Sequence, residues 1–122
     1  MVETVAPKDQ IEPQIAALLA DLKSRLERRF GERLVALYLF GSRARGDAEP
    51  DSDVDVAVVL NQAMPRPSDV TREILEDTYD LLLETGYYIQ PWPLEKGSLD
   101  DPAAHHYPRI SRAVRREGIR IG

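Results

Sequence analysis

Seven apolar residues in a row, Leu34, Val35, Ala36, Leu37, Tyr38, Leu39 and Phe40, constrain this chain more than any other stretch. The run has the length of a strand, and a strand that is apolar at every position has to be covered on both faces. It is therefore expected at the centre of a sheet. Upstream, Ile11, Ile15, Leu18, Leu19, Leu22, Leu26 and Phe30 recur at three- and four-residue spacings and predict a helix, with Pro13 in its first turn and Gly31 at its end. Downstream, residues 53–60 alternate. Val54, Val56, Val58 and Leu60 share one face, and Asp53, Asp55, Ala57 and Val59 share the other.

Residues 61–67 contain Pro65 and Pro67 and read as a loop. Ser68 is the expected N-cap of a helix that buries Val70, Ile74, Leu75, Leu81 and Leu82 and stops at Gly86. Residues 87–90 have strand character, but Pro91 and Pro93 cannot donate ladder hydrogen bonds, so this strand is expected at an edge or to end early. Ser98 and Asp101 predict a short capped turn of helix. Tyr107-Pro108 opens a last helix with Ile110, Ala113 and Val114 inward and Gly118 at its end.

At 122 residues, the chain has room for one domain, expected to span 1–122. A net charge of −5 argues against tracking nucleic acid by bulk electrostatics, so such contact is expected only locally, through a partner or the basic C-terminal helix. Zero cysteines exclude disulfides, thiol catalysis and cysteine-ligated zinc. No apolar run approaches the roughly 18 residues of a membrane span. Residues 1–10 lack the basic-then-apolar order of a secretion signal. A cytoplasmic protein is expected.

The chemistry gathers between the two strands. Asp53 and Asp55 point the same way, with Cα atoms about 6.5–7 Å apart. Like charges so placed among valines ask for a compensating cation, and oxygen ligands suit Mg²⁺, which takes one or two carboxylates and completes its shell with water and phosphate. The bland alternative is a solvated strand face. Gly41 directly after the apolar run lets the backbone turn tightly beside a ligand. Ser42 offers a hydroxyl and an N–H to a phosphate, and Arg43 and Arg45 add fixed positive charge.

The segment from Gly41-Ser42 through Arg43-Ala44-Arg45-Gly46-Asp47 to Asp51-Ser52-Asp53-Val54-Asp55 resembles the Gly-Ser, ten residues, Asp-x-Asp signature of the DNA polymerase beta superfamily of nucleotidyltransferases. More narrowly, it resembles the minimal nucleotidyltransferases. The likeness is tight over residues 34–60 and looser elsewhere. It implies an α+β palm, a small mixed β-sheet with helices packed on one side. It also implies that Gly41 and Ser42 bind a triphosphate, that Arg43 or Arg45 assists, and that Asp53 and Asp55 hold magnesium. The implied reaction moves a nucleoside monophosphate, AMP from ATP, to a hydroxyl. The implied acceptor is a tyrosine of a HEPN-type helical partner, which would make this chain the antitoxin of a toxin–antitoxin pair. Antibiotic-modifying relatives generally carry a further domain for the acceptor, for which 122 residues leave little room.

One departure bears on mechanism. The family places a third carboxylate on a later strand, where this chain has Gln90, and Glu95 is five residues further on. Glutamine can coordinate through its carbonyl but cannot act as a base at neutral pH. Glu95 is the candidate substitute; without a third acid, a metal-bound nucleotide can still form while chemistry is slow, a metal can activate the acceptor hydroxyl, or a partner can supply the missing group. The rival reading is an inactive nucleotidyltransferase-fold module that neutralises or regulates a partner by contact. His105 and His106 lack the spacing of a zinc site. Trp92 is expected to pack on the sheet, with base stacking as the alternative. Arg109, Arg112, Arg115, Arg116 and Arg120, and the opposing acids Asp69, Glu73, Glu76, Asp77 and Asp80, read as solvated helix faces. A docking surface for an acidic partner or an RNA is the sharper option for the arginines.

Overall fold

The computed structural model describes residues 11–122, so the reading of residues 1–10 as lacking a secretion signal lies outside the described residues. Helix α1 spans Pro13–Phe30 and strand β1 spans Leu34–Phe40. A single helical turn, α2 (Ser42–Arg45), leads to strand β2 (Val54–Leu60). Helix α3 (Pro67–Thr85), strand β3 (Ile89–Glu95), helix α4 (Pro108–Glu117) and strand β4 (Ile119–Ile121) follow.

The sheet runs β3-β2-β1-β4, with β1 antiparallel to β2 and β4, and β2 parallel to β3. It is mixed, as expected, and β1 is central. One face carries Leu37, Leu39, Val54, Val56, Val58 and Leu60 against the apolar sides of α1 and α3. The two long helices thus share a side. The other face is covered as well: Ala36, Phe40, Ala57 and Val59 pack beneath Val114 of α4, with Ile110 and Ala113 alongside. Helices on one side therefore describe α1 and α3, and α4 is the departure. The apolar run in β1 demands it, because a strand without a polar face needs a second cover.

Pro67 opens α3 from its first turn, so the expected cap at Ser68 does not form. Proline's fixed φ and missing N–H suit that position. Gly86 ends the helix in a left-handed conformation. Strand β3 runs straight through both prolines because of where they fall. Lys96 N–H donates to Leu60 and the Tyr88 carbonyl accepts from Val54, so the even-numbered residues of β3 bond toward β2. Pro91 and Pro93 turn their nitrogens outward, where no ladder bond is lost. Hydrogen-bonded turns form at residues 96–101, where the Asp100 and Asp101 N–H groups donate to the Gly97 carbonyl, and a short 3-10 turn follows at Pro102–Ala104 without a side-chain cap from Asp101. Arg25 and Arg29 of α1 bind Glu84 at 3.0 Å and Asp77 at 2.8 Å across the helix pair, so the acidic face of α3 is partly neutralised rather than simply solvated. The arginines of α4 are exposed.

Candidate functional site

Antiparallel pairing sets Phe40 opposite Asp55, so the end of β1 and the start of β2 meet at one point. Gly41 follows with φ 78° and ψ −158°, backbone angles essentially restricted to glycine. A β-carbon on Gly41 would stand 2.5 Å from Oδ2 of Asp55 and 3.3 Å from its Cγ. The turn and the carboxylate are packed directly against each other. Ser42, half-buried, begins α2, and the first N–H groups of a helical turn have no partners within it.

Asp53 is exposed and Asp55 half-buried. Burial raises the Asp55 carboxyl above the usual carboxylate range, and the charges of Asp53 and Glu117 push in the same direction. The Trp92 indole and the Arg45 guanidinium oppose the rise. Trp92 Nε1 is buried with no well-formed hydrogen bond among the described residues, so it acts on Asp55 as a nearby dipole. Trp92 also packs edge-on against Tyr107, with ring centroids 5.4 Å apart. Packing on the sheet is thus its main role.

The two arginines separate. Arg45, exposed, donates from Nη1 to Glu117 Oε2 at 2.7 Å and from Nε to Asp47 Oδ2 at 3.2 Å. The bond to Glu117 is the main cause holding its guanidinium above the ordinary arginine range. Arg43 does not reach the aspartates. Its side chain is 4% exposed, and Nη2 donates to the carbonyls of Pro50 and Ser52 at 3.1 Å and of Glu49 at 3.4 Å. Its guanidinium also lies over the Tyr87 ring. The expected phosphate contact from Arg43 is corrected to a clamp on the loop that precedes Asp53.

Gln90 pairs with Asp55 across β2 and β3, so both side chains leave the sheet on one face. It occupies the place where an acid was sought. Glu95 pairs with Leu60, five strand positions or roughly 16 Å away. Its carboxylate lies 3.9 Å from both His105 Nδ1 and His106 Nε2, and the structure does not bring it to the aspartates. No group of three or more His, Cys, Asp or Glu among the described residues could hold a metal ion.

Glu117 belongs to the site without any sequence signal that marks it. The last residue of α4 accepts the Gly41 N–H at 3.2 Å through the same Oε2 that binds Arg45, and its side chain is 13% exposed. It is 76 positions from Gly41, and no local pattern links the two.

The family profile described as nucleotidyltransferase domain matches residues 19–116. A candidate protein adenylyltransferase of Methanocaldococcus jannaschii is 28% identical over 88 residues, which cover 72% of this chain and 60% of that protein. Spectinomycin 9-adenylyltransferase of Staphylococcus aureus is 49% identical over 37 residues, 30% of this chain and 14% of the enzyme. The matches therefore span less than two thirds of either relative. The crystal structure of a candidate nucleotidyltransferase from Sulfolobus solfataricus superposes with a TM-score of 0.50 at 21% identity, covering 82% of this chain and 83% of that one, and it shares the fold.

Proposed function

This chain belongs to the nucleotidyltransferase domain family, and we propose that it transfers AMP from ATP to a hydroxyl, acting as one domain. The observation that carries the reading is the seating of Asp55 against Gly41, with Asp53 beside it. A desolvated carboxylate repelled by its neighbour is stabilised by a cation, and the glycine turn lets the backbone lie directly against that carboxylate.

The donor set fits magnesium arriving with its nucleotide, because that ion takes one or two carboxylates and fills its remaining positions with water and phosphate oxygens. Asp53 and Asp55 would hold it. Once bound, it supplies charge neutralisation on the triphosphate. Ser42 and the turn N–H groups bind the phosphates, and Arg45 covers them from the solvent side. The acceptor oxygen forms a new bond to the α-phosphorus as the bond to pyrophosphate breaks, and pyrophosphate leaves. The hydroxyl proton needs a carboxylate or water, since Gln90 takes none at neutral pH.

A protein hydroxyl is the favoured acceptor, in keeping with the name of the archaeal relative. Following the resemblance in the motif, we place it on a tyrosine of a HEPN-type helical partner, with this chain as the cytoplasmic antitoxin. Gln90 opposite Asp55 favours a second reading, a module with weak or no catalysis that neutralises its partner by contact. Labelled ATP, magnesium and a co-encoded helical partner decide between them. Transfer of label that is lost in Asp53→Asn and Asp55→Asn proteins supports catalysis. Full neutralisation by those same variants without transfer supports the contact reading.

A further inference from the structure

We infer that Glu117 is an internal occupant of the phosphate-binding turn, a tethered anion that an incoming triphosphate must displace. The inference rests on the proposed nucleotide reading and adds a gate to it. Oε2 of Glu117 accepts from two donors at once, the Gly41 N–H at 3.2 Å and Arg45 Nη1 at 2.7 Å. Both are groups that the proposed function assigns to the nucleotide's phosphates or to the turn that holds them. A carboxylate and a phosphate oxygen satisfy such donors in the same way, so they compete for them.

The position is otherwise a poor one for a negative charge. Glu117 ends α4, where the helix dipole is also negative, and Asp55 carries like charge nearby. Arg116 contacts only the other oxygen, at 3.3 Å from Oε1. A triphosphate brings its own cation to this crowded corner, whereas Glu117 does not. The exchange of one anion for the other relieves the repulsion.

Displacement would also be felt beyond the turn. Glu117 is joined through Gly118 to β4, whose residues pair with Leu37, Tyr38 and Leu39 of β1. The joint is tight, since a β-carbon on Gly118 would stand 2.5 Å from the Val114 carbonyl oxygen. Strand β4 has three residues and, among the described residues, pairs only along β1, so loss of the Glu117 anchor loosens it.

The test compares the unaltered protein with Glu117→Gln, titrating Mg·ATP and, separately, magnesium with inorganic tripolyphosphate by calorimetry. Hydrogen exchange at residues 119–121 is followed in the unaltered protein with and without each ligand. Release of an internal competitor predicts roughly three- to tenfold tighter binding of both ligands to Glu117→Gln, and faster exchange in β4 when the unaltered protein is saturated. Equal or weaker binding to the variant, with β4 exchange unchanged or slowed, overturns the gate while leaving the nucleotide site standing. Failure of both proteins to bind either ligand overturns the nucleotide reading and the gate with it. The exchange measurement needs no substitution, so it decides the question even if the variant does not fold.

Discussion

Oδ2 of Asp55 lies 2.5 Å from the point where a β-carbon on Gly41 would sit. The backbone of one motif residue is thus the wall against which the other is packed. Gly41→Ala meets both this clash and an unfavourable φ of 78°, and is expected to cost about 2–4 kcal/mol. Adding Asp55→Ala should recover the clash but not the backbone strain. A double-mutant cycle by chemical denaturation measures the difference, and additive losses would show that the two residues do not touch.

Asp55 is expected to destabilise the protein when no cation or nucleotide is present. Its carboxyl is raised in the fold by burial and by Asp53, so the folded state binds its proton more tightly than the unfolded chain does. Stability contributed by this group is therefore present below the ordinary carboxylate range and lost as pH rises through the raised value. Asp55→Asn should raise the melting temperature at neutral pH and weaken Mg·ATP binding. The gain over the unaltered protein should shrink on acidification. Thermal melts across pH 3.5–7, a window set by the ordinary carboxylate range, check the sign.

Arg43 and Arg45 should fail in opposite ways. Arg43→Met removes buried bonds to three carbonyls and should cost about 2–3 kcal/mol in denaturation experiments. Arg45→Gln is exposed and should leave the melting temperature nearly unchanged while reducing affinity for Mg·ATP in calorimetry. A large stability loss in Arg45→Gln would contradict its assignment to the phosphates.

Gln90→Glu would set a third carboxylate opposite Asp55. The expected outcome is tighter magnesium binding, faster label transfer and a lower melting temperature without metal. Unchanged transfer with tighter magnesium binding would place the limiting step away from proton removal.

Much of the scaffold could be read from periodicity. Strands β1 and β2 and helix α1 followed from unbroken, alternating and three-to-four spacing because each sets a continuous apolar row into the core: both faces of β1, and one face of α1. The second cover, α4, was implicit in the double-sided run of β1 and hidden by the family expectation of helices on one side. Strand β4 was not legible, since Ile119, Arg120 and Ile121 are too few to establish a period. Arg43 and Arg45 looked equivalent as charges. On a helix, however, two positions are separated by about 200° of rotation, so only one could face the aspartates. Glu117 reaches the site through tertiary packing of α4, for which no spacing rule exists.

The outward-turned nitrogens of Pro91 and Pro93 have one more effect. A passing chain seeking to extend the sheet beyond β3 finds two successive places where no N–H is offered, so fibrillar growth and strand exchange are disfavoured on that flank. Any assembly that lengthens the sheet has to begin at the opposite border, where three residues give little purchase.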